Sequence, residues 1–308
     1  MSYNNSLFVA IAEERFDVPL ANQQVAHLVR LCPEISNGQA VFMLHGLMDN
    51  ASCFHNATTQ TGLGYVLARQ GYDVYMAELR GRHLDNKALS SLEFGVEQAI
   101  IEDLPQLIAA MNKTAAPEKQ VWIGQGFGSL LLASYLARNP NSLKSILGLV
   151  HFSPFRESQP IGALKNFWVN WLHGRGVNFL AQKLGYVPAV KLKLGRSNED
   201  LGFYQQALDW LSAPWQGKDG FDYAAAVQKL EWPPSLYFAS LHNAWRGSET
   251  DARAFMFGFG DHNARLIKLG RSVGNQKNYK RSQLCLHQAA EQDYYPLLLN
   301  WLQDLKVD

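Results

Sequence analysis

Residues 121–132 read VWIGQGFGSLLL, and this stretch constrains the fold more than any other. Val121, Trp122 and Ile123 are β-branched or aromatic residues that favour an extended strand. Glycines then alternate at 124, 126 and 128, and a leucine-rich run follows at once. A strand that passes so abruptly into a helix reaches its next partner by a crossover. Crossovers of that kind are right-handed and build a mostly parallel sheet with helices on its faces.

The rest of the chain repeats the alternation. Leu7–Phe16 and Gln23–Leu31 are β-rich runs joined by the turn-like Pro19-Leu20-Ala21-Asn22, and they read as a leading antiparallel pair. Ala40–Leu44, AVFML, is a continuous apolar run, as expected of a strand covered on both faces. A helix is expected over Thr61–Gln70, stopped by Gly71, then a strand over Tyr72–Leu79 that ends in Arg80-Gly81-Arg82. Val96, Ile100, Leu104, Leu107, Ile108 and Met111 recur at helical spacing, with a bend expected at Pro105. Ser145–Phe152 is a further strand.

Between about 155 and 229 the alternation stops and large aromatics accumulate, among them Phe167, Trp168, Trp171, Phe179, Tyr186, Trp210, Trp215 and Phe221. Their spacing is helical, so this region reads as an inserted helical cap, dividing the core into 1–154 and 230–308. Such aromatics serve packing first, and together they would roof an apolar pocket. After Pro233-Pro234 come a strand (Ser235–Leu241), a helix (Asp251–Phe257), a strand (Ala264–Gly270) and a closing helix over Leu297–Leu305, with Asp293 as its expected N-cap.

Composition removes several function classes. A net charge of +1 provides no global field for nucleic acid. No stretch reaches the roughly 18 apolar residues of a membrane span, and the N-terminus lacks a signal-peptide pattern, so a cytoplasmic chain is expected. Cys32, Cys53 and Cys285 are odd in number and far apart, giving neither a disulfide framework nor a metal signature. The nine histidines form no H-x-x-x-H pair, and no cofactor motif is present.

Leu44-His45-Gly46-Leu47 after a strand, Gly71-Tyr72-Asp73-Val74-Tyr75 with Arg80-Gly81, and the glycine turn together resemble the α/β-hydrolase superfamily. The spacing is most similar to its acid-lipase and esterase branch. The resemblance implies an α/β-hydrolase fold with a nucleophile elbow, G-x-S-x-G, at Gly124–Gly128. It also implies an oxyanion hole formed by the amides of Leu47 and Phe127. In such enzymes an acid orients a histidine, which deprotonates the serine.

Carried over residue by residue, the nucleophile place holds Gly126, which has no side chain to attack with. The acid place after the Leu236–Ala239 run is matched by Asn243, and the histidine place in the loop Tyr279–Gln283 by Arg281. An amide cannot offset imidazolium charge, and arginine stays protonated near neutral pH. His242, His262 and His287 stand as rival bases. The expected function is thus a lipase- or esterase-like pseudoenzyme that binds a small apolar acyl or ester-like ligand or a protein partner, a second copy of this chain included. An active ester hydrolase with another nucleophile or an activated water is one alternative, and a structural protein using the cap surface is another.

Other residues are weighed against plainer roles. Ser129 falls inside the first helical turn, and Cys53 has no neighbour in sequence to lower its pKa. His45 reads as structural in the oxyanion loop, and His151 as a core or pocket-edge histidine. Arg265, Lys268, Arg271, Lys277, Lys280 and Arg281 form a basic run that is read as a solvated face, unless Arg281 sets a positive charge at the pocket mouth for an anion.

Overall fold

The computed structural model describes residues 10–117, 119–157, 176–211, 214–242 and 246–305. Eight strands form one sheet in the order β1-β2-β4-β3-β5-β6-β9-β10. They are β1 (Ile11–Pro19), β2 (Val25–Pro33), β3 (Ala40–Leu44), β4 (Asp73–Glu78), β5 (Gln120–Gln125), β6 (Ile146–Phe152), β9 (Ser235–Ser240) and β10 (Ala264–Leu269). β7 (Tyr186–Val187) and β8 (Glu199–Asp200) make a separate two-stranded ladder. Only the β1–β2 and β2–β4 pairs of the large sheet are antiparallel. The other five pairs are parallel, so β3, β5, β6 and β9 all end at the same sheet edge.

Alternation of side chains along these strands builds two apolar layers. Phe42, Leu44 and Trp122 face one way, with Leu104, Leu107, Leu130 and Leu131. Val41, Met43 and Ile123 face the other, with Leu63, Leu67, Leu298 and Leu302. All five residues of β3 are buried, as a doubly covered parallel strand requires. Each fully buried Leu, Val or Phe contributes on the order of 1.5–3 kcal/mol.

Around the sheet run α1 (Leu63–Arg69), α2 (Leu104–Ala115), α3 (Phe127–Arg138), α7 (Glu249–Phe257) and α8 (Tyr295–Asp304). Between β6 and β9 lie α4 (Val177–Leu184), α5 (Leu201–Trp210) and α6 (Tyr223–Val227). In this segment Trp210, Trp215 and Tyr223 are buried in the α3 side of the core, and Phe179 is exposed. Phe167, Trp168 and Trp171 lie outside the described residues.

Two local expectations differ from the observed chain. Next to the bend expected at Pro105 the helix runs through a π-helical segment, Ala99–Asp103, directly into α2, and the N–H that Pro105 lacks falls just after that irregular join. Asp293 does not cap α8, which begins after Tyr294. Its carboxylate instead accepts from the Tyr279 hydroxyl at 2.7 Å and from Asn275 Nδ2 at 2.9 Å, tying the loop after β10 to the closing helix.

Candidate active site

The turn after β5 has the sharp geometry of an elbow. Gly126 has φ 54° and ψ −118°, and its N–H donates to Phe152 O at 2.9 Å. A residue with a Cβ held in such geometry stores about 1–3 kcal/mol. The outer glycines answer to a different constraint. A Cβ at Gly128 would stand 2.4 Å from His45 O and 2.5 Å from Leu44 O, and one at Gly124 would stand 2.6 Å from Ser129 Cα. The elbow's position against the end of β3 therefore requires glycine at 128, and the close approach of Ser129 in the first turn of α3 requires it at 124, whatever stands between.

The loop after β3 lies against this turn. A Cβ on Gly46 would meet Gln125 O at 3.0 Å and Phe127 N at 3.7 Å, so the loop that carries Leu47 packs against the turn that carries Phe127. Neither amide has a protein acceptor among the described residues. His45 is buried, its Nδ1 lies 2.8 Å from Gly46 O, and its Nε2 accepts from the Leu79 amide at 3.4 Å. That pair of partners selects the neutral Nδ1–H tautomer, and burial first, with Arg82 second, pulls the imidazole down to about 3. His45 thus props the loop and carries no charge.

Beside Gly126 the position of a missing Cβ is 3.3 Å from Phe155 Cε1 and 3.8 Å from both Cδ and Nη1 of Arg281. The guanidinium also lies over the Phe155 ring, 5.7 Å from its centroid. Arg281 sits in a single 3-10 turn (Arg281–Gln283), and its backbone carbonyl accepts from Gln125 Nε2 at 3.3 Å. Burial pulls the guanidinium below its usual value, and Asp49 opposes that. Asp49, buried, is pushed up by desolvation and held back by Arg196 and Arg281. Its carboxylate accepts from Arg196 Nη1 at 3.0 Å, and Arg196 Nη2 donates to Ser282 O at 3.0 Å.

Arg196 thereby fastens the segment before α5 to both loops of the site. A second fastening is the buried pair Arg82–Glu199 at 2.7 Å, where Glu199 also accepts from the Met48 amide at 2.9 Å. Ser197 N donates to Met48 O at 3.1 Å. Phe155, Asp49, Arg196 and Glu199 carry no motif, so sequence reading passes over them.

The other candidates are dispersed. Asn243 lies outside the described residues. His242 is exposed, and its amide donates to Ser240 Oγ at 3.1 Å. His262 precedes β10 at the edge where β9 and β10 begin, opposite the strand ends that carry Gly126, and both its nitrogens are engaged, with Tyr237 Oη and Gly260 O at 2.9 Å each. His287 bonds Lys277 Nζ at 2.6 Å, and its Nδ1 accepts from the Ala289 amide at 3.1 Å. Ser129 Oγ is buried beneath Gly124. Cys53 and Cys285 are buried, and desolvation raises both thiols well above their usual range. Thiols so placed are not nucleophiles. Among the described residues no three His, Cys, Asp or Glu side chains converge on a metal position, and no helix is long and apolar enough to cross a membrane.

The comparisons with known proteins agree with this geometry. Residues 36–206, more than half of the chain, match the family described as serine aminopeptidase, S33. A tear acid lipase-like protein of Mesocricetus auratus is 23% identical over 151 residues, covering 47% of this chain and 37% of the relative. Human lipase member J is 32% identical over 98 residues, covering 30% and 27%. The matches thus span about a third of the length of these relatives. An esterase from Exiguobacterium antarcticum superposes with a TM-score of 0.57 at 13% identity, covering 93% of this chain and 98% of that one, a likeness of fold. The eight-stranded sheet, the elbow at its strand ends and the family match make this chain a member of the serine aminopeptidase S33 family of the α/β-hydrolase superfamily.

Proposed function

We propose that this chain is a non-hydrolytic relative of the lipases and esterases, whose 155–229 insertion acts as a cap and whose former catalytic centre serves binding. One observation carries the reading. Gly126 has the elbow's backbone geometry, yet among the described residues the groups nearest its missing side chain are a phenyl ring and a guanidinium, neither of which can take a proton from a nucleophile. In the serine-protease example, removal of an essential triad member costs on the order of 10⁶-fold in rate, leaving only the 10³–10⁴ that the oxyanion hole and binding supply. The lipase names of the relatives favour an acyl compound as the ligand, with a protein partner as the other occupant.

Turnover of p-nitrophenyl butyrate and labelling by a fluorophosphonate probe test the proposal. Release of p-nitrophenol at the rate of heat-denatured protein, with no label incorporated, is expected. Turnover above that control, abolished by the fluorophosphonate, overturns it.

A further inference from the structure

We infer that the outward sides of α4 and of the turn that follows it form one surface that docks on an anionic lipid membrane. The observations come from a single segment. On α4, Val177 and Ala181 are buried in the apolar layer on the α3 side of the sheet, while Phe179, Leu180 and Leu184 are exposed, Phe179 at 59%. At 3.6 residues per turn, positions 179, 180, 183 and 184 share one arc of about 140°, and the buried 177 and 181 fall outside it. Lys183 belongs to that arc, and its amine lies over the Phe179 ring, 4.5 Å from the centroid. The turn at 189–194 repeats the arrangement. Val187 and Ala189 seat it in the same apolar layer, and Val190, Lys191, Leu192 and Lys193 are exposed, Val190 at 52%. Backbone bonds from Leu192 N to Pro188 O at 3.0 Å and from Leu194 N to Ala189 O at 2.9 Å hold the turn in this shape.

Charge selects the occupant. No Asp or Glu occurs from 176 to 198, and Lys183, Lys191 and Lys193 are exposed and make no ion pair among the described residues. The other charges around the segment are paired or lie beneath it. Arg196 pairs with Asp49 and Arg82 with Glu199, and Asp200 is buried at the N-cap of α5. The adjoining stretch 85–93, which meets the segment at Gly185 and Asn198, brings Asp85 and Glu93 together with Lys87. Asp49, Glu199 and Asp200 are buried whereas the three lysines are not, so the outward side is positive. Lysine is depleted at protein–protein interfaces, which favour aromatic residues and arginine. At a lipid surface its stem lies along apolar side chains while its amine reaches the headgroups. A segment that intersperses exposed Phe, Leu and Val with lysine therefore fits phospholipid, its apolar tips entering the boundary between headgroups and acyl chains and its amines pairing with anionic headgroups. The surface lies within the 155–229 insertion, and the inference holds whether or not the chain hydrolyses esters.

Co-sedimentation of the full chain with vesicles tests the inference, using phosphatidylcholine alone and phosphatidylcholine mixed with phosphatidylserine in equal parts. Partitioning into the mixed vesicles is expected to exceed that into the neutral ones by roughly tenfold or more, and to fall as salt is raised. Replacing both Lys191→Gln and Lys193→Gln is expected to weaken binding to mixed vesicles by roughly tenfold, two headgroup contacts being lost. Replacing both Phe179→Ser and Leu184→Ser is expected to weaken it by roughly tenfold through lost apolar insertion. All four side chains are exposed, and circular dichroism verifies the fold of each variant. The salt dependence of the unaltered chain keeps the test intact if a variant fails to fold.

Equal partitioning into neutral and mixed vesicles overturns the inference, as does absence of vesicle binding or binding that salt leaves unchanged. Unchanged binding in either folded double variant overturns it too, because the helix and the turn are then not one surface. An acidic protein recovered on the same residues without vesicle binding identifies the other occupant and overturns it as well. The p-nitrophenyl butyrate assay bears on the non-hydrolytic proposal alone, so the two fail separately.

Discussion

His151 offers a quantitative test of the core that supports the elbow. It lies on β6, paired on one side with Gly124 and on the other with Tyr237, and is 2% exposed. Neither ring nitrogen has a hydrogen-bond partner among the described residues. The ring stacks on Tyr237 with centroids 4.7 Å apart and meets Phe255 edge-on at 5.5 Å. Burial in these surroundings holds the imidazole at about 3. In the unfolded chain a histidine titrates near 6.5.

Below pH 6.5, then, the unfolded chain takes up a proton that the native state refuses, and stability falls as the pH drops from about 6.5 toward 3. At pH 5 the two states differ by roughly 1.5 pKa units' worth of protonation, or about 2 kcal/mol from this residue. His151→Phe removes the titration and keeps a ring of similar size in the stack. Urea unfolding at pH 7.5 and at pH 5 should therefore show the variant gaining about 2 kcal/mol on the wild type between the two conditions, whatever its offset at pH 7.5. His45, held at about 3 by its own burial, continues to titrate in both proteins and cancels from the comparison. A stability difference that is the same at both pH values would refute the argument, by showing that His151 is not neutral in the native core or is not alone there.

Two further outcomes follow from the packing of the site. Glu199→Gln leaves Arg82 buried without its counter-charge, so unfolding in urea should show a loss of about 3–5 kcal/mol, and joint replacement by Arg82→Met and Glu199→Leu should restore much of it. Gly128→Ala should fail to give soluble folded protein, because its Cβ meets backbone oxygens at 2.4 and 2.5 Å, whereas Gly126→Ala should fold with a penalty of about 1–3 kcal/mol read as a lowered thermal midpoint.

The sheet was legible in the sequence because parallel strands covered on both faces are written as unbroken apolar runs, as in AVFML of β3 and LGLVHF within β6. Strand and helix ends were less legible. The expected N-cap at Asp293 follows a local rule, yet the carboxylate is drawn to Tyr279 and Asn275, and tertiary partners of that kind leave no mark on neighbouring residues. The same division runs through the site. Gly126 could be found because the elbow is a contiguous motif, and Arg281 because topology puts the loop after the last strand beside the elbow. Asp49 with Arg196, 147 residues apart, and Met48 with Glu199, 151 apart, are pairs that no spacing encodes. His262 resembled a base by its place in the chain, and it lies at the opposite edge of the sheet because it stands before β10 rather than after it.

The three glycines of the elbow are subject to selection of different kinds. At 124 and 128 the requirement is imposed by neighbouring backbone, which accepts no side chain without the β5–α3 junction moving, so substitution there is punished through folding. At 126 the requirement is a dihedral angle that other residues reach at a strain of about 1–3 kcal/mol, so substitution there costs stability without preventing folding. A chain in this fold can therefore exchange its nucleophile while every folding determinant around it is held fixed. The outer glycines are thus fixed by the shape of the junction, and the residue between them is the one place in the elbow that packing leaves open to choice.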